Sequence, residues 1–152
     1  MVLFQQLGSQ DGVTHNLDNI GGIALAQGEY ARAADLFQQS LAIRQQLGDQ
    51  HGIAYIFNRL GEVALKQDDT QASQWFTKAL KVANEINASS QIIASLIGFG
   101  GVYLQRGNIS RTAELIGLAQ SHPAKEARLQ PEIDGHLAQL EETLSPQQLQ
   151  LA

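Results

Sequence analysis

Apolar side chains recur along the chain at intervals of three and four residues, which is the spacing of one face of an α-helix. Residues 17–25 and 57–65 carry this pattern, and shorter apolar stripes over 33–41 and 72–80 follow them. No proline occurs before Pro123, as a run of helices requires. The chain is therefore predicted to form pairs of amphipathic helices.

The same short sequences return after about 40 residues, the range of helical repeat units. Residues 7–12 (LGSQDG) recur as 47–52 (LGDQHG). The block at 20–27 recurs at 60–67 and again, one residue earlier than a strict repeat, at 99–106. Several blocks that recur in register indicate an internal repeat rather than chance similarity.

Short turns divide each repeat into two helices. They are predicted at 27–29, 67–69 and 106–108, where Gly, Asp or Asn can end a helix. Two-helix units joined in this way bury their apolar faces only by stacking on their neighbours, which produces a solenoid.

These repeats resemble the tetratricopeptide repeat family, in a long form of about 40 residues. In the third unit Thr112 and Ile116 stand where the family has Ala and Phe. The resemblance implies an all-α fold, a right-handed superhelical α-solenoid of three antiparallel helix pairs plus a C-terminal closing helix. The positions that carry it are Gly21, Tyr30, Ala33, Phe37 and Ser40 in the first unit, Gly61, Ala72, Phe76 and Ala79 in the second, and Gly100, Tyr103, Gly107 and Ala119 in the third.

The chain is interpreted as one domain over residues 1–152. Residues 3–8 parallel 43–48, which suggests that the chain starts in the second helix of a preceding unit and is part of a longer array. The predicted divisions are a remnant helix at 1–10, repeats at 12–48, 50–87 and 90–121, and a capping helix at 124–152.

Composition and charge remove several classes of function. A net charge of −5 disfavours nucleic-acid binding, which needs clustered Lys and Arg. The absence of cysteine removes disulfides and thiolate nucleophiles. No apolar run is long enough to span a membrane, and the N-terminus does not read as a secretion signal. A cytoplasmic protein is the expectation.

No set of residues has the spacing of a catalytic or metal site. The glycines at 98–101 are followed by Val102 rather than Lys, and the repeat register places them inside a helix. The four histidines lack the i, i+4 spacing of a zinc helix. We therefore expect a non-catalytic protein with no cofactor and no metal.

The resemblance implies a concave groove lined by the first helix of each pair. Asn19 and Asn58 carry amides that can bond a ligand backbone, and Arg59 can meet a carboxylate with two parallel bonds. The family's carboxylate clamp is not expected, because Asp18 and Ile97 break its pattern. The predicted groove residues are His15, Asp18, Asn19, Tyr55, Asn58, Arg59, Glu62, Lys66, Ile97 and Gln105.

Two functional hypotheses remain open. The first is an interaction scaffold that holds a peptide or partner domain in the groove. The second, suggested by similarity of the long repeats to those of large bacterial regulators and signalling ATPases, is an effector-sensing segment. A plainer interpretation of the polar lining also stands, because Glu62 and Lys66 can pair with each other on a solvated face. The apolar side of the helix around Leu17 and Ile20 suggests a homodimer through this N-terminal edge.

Overall fold

The computed structural model describes residues 2–121, and within this part every regular element is an α-helix. The prediction of an all-α fold built from helix pairs is therefore confirmed. The predicted closing helix at 124–152 lies outside the described residues. The helices are α1 (Val2–Ala26), α2 (Tyr30–Leu47), α3 (Gln50–Lys66), α4 (Ala72–Glu85), α5 (Ser89–Gln105) and α6 (Ile109–Ser121).

The three turns predicted inside the units form in the same way. Gly28 and Gly107 adopt left-handed conformations, with φ of 78° and 73°, and Asp68 does so with φ of 53°. The residue after each then donates its backbone N–H to a carbonyl near the end of the preceding helix, as in Glu29 N to Ala24 O at 2.8 Å. This bond satisfies an otherwise free terminal carbonyl and ends the helix.

An aromatic ring packed on a glycine holds each of the first two helix pairs together. Phe37 and Phe76 are fully buried. A Cβ added at Gly21 would lie 2.8 Å from the Phe37 ring, and one at Gly61 would lie 2.6 Å from Phe76. Gly98 of α5 approaches Phe76 even more closely. The small residues of the repeat thus allow helices to approach until a ring fills the space between them.

The third pair uses the same positions with different side chains. Ile116 and Thr112 stand where the other units have Phe and Ala, and both are buried. A Cβ at Gly100 would lie 3.4 Å from Ile116, an ordinary contact. The Thr112 hydroxyl donates to Asn108 O at 2.9 Å, so its burial leaves no donor unpaired. The weaker sequence match is therefore compatible with the same packing.

Helix α1 is longer than the repeat predicted. The motif shared by residues 7–12 and 47–52 suggests a helix end near Gly8, yet α1 continues through it. At Gly48 the break is supported by Asp49, which caps α3 by accepting from Gly52 N at 2.9 Å and pairs with Arg44 at 2.5 Å. The position that corresponds to Asp49 is Ser9, which is uncharged and cannot form that ion pair.

Stacking joins the pairs into one body. Each helix packs against the next along the chain, and α3 also contacts α5. One core cluster combines Ala24 of α1, Phe37 of α2 and Ile56 of α3, so it crosses the boundary between the first and second units. No helix within residues 2–121 is long and apolar enough to cross a membrane.

Candidate functional site

A cavity of about 530 Å³ opens between α1, α3 and α5, on the side lined by the first helix of each pair. This volume falls within the range of small-ligand pockets, roughly 300–1,000 Å³. We refer to it below as the cavity. Its lining residues are His15, Asp18, Asn19, Arg44, Asp49, His51, Gly52, Tyr55, Asn58, Arg59, Glu62, Ser90, Gln91 and Ala94.

Two carboxylates share one guanidinium in the cavity wall. Arg44 reaches from α2 to Asp18 on α1, with Nη2 to Oδ2 at 2.6 Å, and to Asp49, with Nη1 to Oδ2 at 2.5 Å. These two ion pairs raise the pKa of Arg44, although burial acts in the opposite direction and is the largest single influence. The Asp18–Arg44–Asp49 triad therefore ties α1, the end of α2 and the start of α3 together.

Gly52 makes room for this triad. A Cβ at that position would lie 1.9 Å from Arg44 Nη1 and 2.1 Å from Asp49 Oδ2. Gly12 occupies the equivalent position one unit earlier, and no atom lies within 4 Å of the Cβ it lacks. A larger residue at position 52 would therefore force the ends of the Arg44 and Asp49 side chains to shift, whereas position 12 has no such neighbours.

Asn58 forms the floor of the cavity and joins α3 to α5. Its Nδ2 donates to Gln91 O at 3.1 Å and to Gln91 Oε1 at 3.2 Å. Its Oδ1 accepts from the Ser95 hydroxyl at 2.8 Å. The residue is only 2% exposed. The expectation that Asn58 presents its amide to a ligand therefore requires correction, because the amide already bonds within the protein.

Arg59 of α3 also lines the cavity and is oriented by two contacts. Nη1 donates to Glu62 Oε2 at 2.6 Å, and the guanidinium lies over the Phe37 ring at 5.4 Å from its centroid. Tyr55 stands one turn earlier on α3. Burial raises the pKa of its hydroxyl above 10.0, while the positive charge of Arg59 partly opposes this rise and Asp18 adds to it.

Two buried polar atoms of the cavity have no hydrogen-bond partner among the described residues. They are Asp18 Oδ1, an acceptor, and Arg59 Nε, a donor. Asp18 is only 7% exposed, so solvent has little access to it. Buried polar groups in native proteins are nearly always satisfied, which makes these two exceptions informative.

A family model for the tetratricopeptide repeat matches residues 11–85, a stretch that contains the triad and the α1 and α3 walls of the cavity. Residues 11–85 belong to the tetratricopeptide repeat family. The resemblance seen in the sequence is thus confirmed. No curated protein and no solved structure matches the chain significantly. Tetratricopeptide repeats generally mediate protein–protein interactions and are typically non-catalytic.

The cavity brings together seven of the ten residues predicted for the tetratricopeptide groove. The other three lie elsewhere. Ile97 is 4% exposed and belongs to a core cluster, so its assignment to the groove requires correction. Gln105 donates to Leu65 O at 2.7 Å outside the cavity, and Lys66 is exposed at the end of α3. The seven are His15, Asp18, Asn19, Tyr55, Asn58, Arg59 and Glu62.

The cavity also contains residues that sequence reasoning missed. Arg44 belongs to a second helix of a tetratricopeptide pair, whereas the family register assigns only first helices to the groove. The sequence indicates its role only in that Arg44, a basic residue, lies close to Asp49, the acidic cap of α3. His51 and Ser90 occupy equivalent positions at the start of α3 and α5, and register could have identified both. Gln91 also lines the cavity, where Asn58 donates to its side chain.

The cavity is polar, but its groups do not resemble a metal centre. Among residues 2–121 no three His, Cys, Asp or Glu side chains are grouped to hold a metal ion. The charged side chains in its wall instead pair with one another, as in the triad and in Arg59 with Glu62. Such a tetratricopeptide surface can recognise a ligand by shape, hydrogen bonds and charge.

Proposed function

We propose that the chain is a non-catalytic interaction scaffold that binds a peptide or a partner domain in the cavity. The observation that carries this proposal is the convergence of polar side chains from three first helices on one concave surface. A concave site with a few placed polar groups is the usual form of a binding site.

The construction of the cavity supports recognition by a rigid surface. Its floor is held by the buried Asn58 network and one wall by the triad. Exposed side chains, among them His15, Asn19 and His51, lie at its rim. A rigid floor lowers the entropic cost of binding, and the rim supplies groups that can adapt to the partner. Asn19, rather than Asn58, is the amide available to a ligand.

A photo-crosslinking residue tests this proposal. It is placed at Asn19 in the full chain, and a matched control places it at Lys81, which is exposed on α4 away from the cavity. Both baits are irradiated in lysate from the source organism. A polypeptide crosslinked from position 19 and absent from position 81 supports docking in the cavity.

The other outcomes of the same experiment are equally clear. Equal crosslinking from both positions, or none from position 19, contradicts docking of a polypeptide in the cavity. A compound of small mass retained at position 19 instead favours the effector-sensing hypothesis. Circular dichroism of both baits establishes that each has kept the helical fold.

We further propose that the chain forms a homodimer through an N-terminal edge, defined as Val13, Ile20 and Ile23 on α1. All three are at least 42% exposed. Their equivalents in the second unit are Ile53, Leu60 and Val63, and these are at most 6% exposed. The same positions are thus covered when another helix pair precedes them, and a second copy of the chain can cover them here.

A further inference from the structure

The triad in the cavity wall carries an excess of negative charge. Asp18 and Asp49 contribute two carboxylates, and Arg44 is the single guanidinium that bonds to both. The side chain of Asp49 is 36% exposed and accepts from Gly52 N, whereas those of Asp18 and Arg44 are 8% and 15% exposed, so Asp18 is the carboxylate that water screens poorly. Placing an uncompensated charge away from water is unfavourable, so a further positive group would stabilise the triad at Asp18.

The other guanidinium of the cavity does not supply that charge. Arg59 pairs with Glu62 at 2.6 Å and lies over the Phe37 ring. The pair is balanced by itself. The charged side chains of the lining are therefore three carboxylates and two guanidinium groups, and the excess lies with the triad.

The missing hydrogen bond lies in the same place as the missing charge. Arg44 bonds to Oδ2 of Asp18, whereas Oδ1 accepts no bond from any described residue. A carboxylate oxygen without a donor is costly when buried. The terminal torsion of an aspartate is soft, so a small rotation of Asp18 can present an oxygen to an occupant of the cavity.

We propose that the cavity recognises the positively charged side chain of a Lys or Arg in a bound peptide, with Asp18 as the accepting group. This inference rests on the proposed function and specifies the chemistry of the partner. A cation there balances the triad and donates to Asp18, and charge-assisted bonds of this type are strong. Arg44 and Arg59, which would attract an acidic peptide, already pair with carboxylates of the chain through their Nη atoms, and of their buried nitrogen atoms only Arg59 Nε is without an acceptor among the described residues.

Selection from a random dodecapeptide library displayed on phage tests the inference. The full-length chain is the bait, in parallel with Asp18→Asn, Asp49→Asn and a control, Glu85→Gln. All three substitutions change the net charge equally, but Glu85 is exposed and does not line the cavity. Asn replaces Asp49 as an equally good helix cap, so that variant removes the excess charge without removing the cap.

Peptides enriched by the unmodified chain should contain Lys or Arg. Changing that residue to Gln in the best synthetic peptide should weaken binding, measured by fluorescence anisotropy, by about tenfold or more. Asp18→Asn and Asp49→Asn should weaken binding of the original peptide to a similar extent, and Glu85→Gln should leave it unchanged.

Selected peptides that are acidic or neutral overturn the inference. So does a basic preference that survives unchanged in both Asp18→Asn and Asp49→Asn, since general attraction to an acidic protein would then explain it. The failure is distinguishable from failure of the scaffold hypothesis. Crosslinking of a polypeptide from position 19 can succeed while the peptides show no need for a basic residue.

Discussion

One position of the repeat performs three different tasks at the residue scale. Asp18, Asn58 and Ile97 each stand three residues before the glycine that packs on the second helix of the unit. Asp18 pairs with Arg44, Asn58 bonds across to α5, and Ile97 is buried in the core. Register therefore places a residue on a helix, but the chemistry of its neighbours decides whether it pairs with a charge, bonds to another helix or joins the core.

Replacing Asn58 by Ala should destabilise the fold strongly. The change removes three hydrogen bonds and leaves the buried Gln91 Oε1 without its donor, while the Ser95 hydroxyl keeps its bond to Gln91 O. We expect the free energy of unfolding to fall by about 2–3 kcal/mol, with an unchanged m-value in urea. The exposed Asn19→Ala is the matched control and should change it by no more than about 0.5 kcal/mol. Equal effects of the two substitutions would contradict the role assigned to Asn58.

Titration of Tyr55 should make the fold less stable at high pH. Burial, the main cause, raises the pKa of its hydroxyl in the folded chain above 10.0, the ordinary value that applies in the unfolded chain. The unfolded state therefore loses this proton first, so the contribution of Tyr55 is complete below pH 10.0 and is lost as the pH rises toward the folded pKa. Urea unfolding of the unmodified chain and of Tyr55→Phe at increasing pH measures the effect. The unmodified chain should lose more stability over this range, and parallel curves would contradict the assignment.

At the element scale, glycine against a ring fixes how closely paired helices approach. Gly61→Ala should cost about 1–3 kcal/mol, because its Cβ would lie 2.6 Å from a fully buried Phe76 ring that cannot move away. Gly12→Ala is the control, since it also lies inside a helix but has no atom within 4 Å of the new Cβ. That change should instead stabilise the chain by about 0.5–1 kcal/mol. Thermal unfolding of both variants measures the difference, and a shift in the same direction for both would count against packing as the cause.

Helix pairs, turns and much of the core could be predicted because each depends on local sequence. The left-handed turn at Gly28 and the contact of Gly61 with Phe76 follow from short motifs that the repeat displays twice. The unbroken course of α1 through Gly8 could not be predicted in this way. At Gly48 the same motif ends a helix and is accompanied by the Arg44–Asp49 pair, which Ser9 cannot form.

At the scale of the whole molecule, the cavity was predicted less completely than the fold. Register identified the faces of α1 and α3, but Arg44 reaches Asp18 over 26 residues of sequence from a helix outside the predicted set. This single long contact brings Asp18 to the Arg44–Asp49 pair, so the second carboxylate of the triad could not be predicted from local sequence. A periodic pattern reports which side of a helix is buried, whereas a side chain as long as arginine is placed by its ionic partners.

The whole molecule also has an apolar edge, and covering it should determine the oligomeric state. Ile23, at 57% exposure, and Ile20, at 42%, are the most informative positions, because their equivalents Val63 and Leu60 are almost fully buried beneath the preceding helix pair. Changing both isoleucines to Glu places two charges in the proposed interface, where burial without a partner is costly. Sedimentation should show a dimer for the unmodified chain and a monomer for the variant. Leu118→Glu, at an exposed site on α6, should leave the dimer intact. A monomeric unmodified chain would show that the N-terminal edge does not bind a second copy.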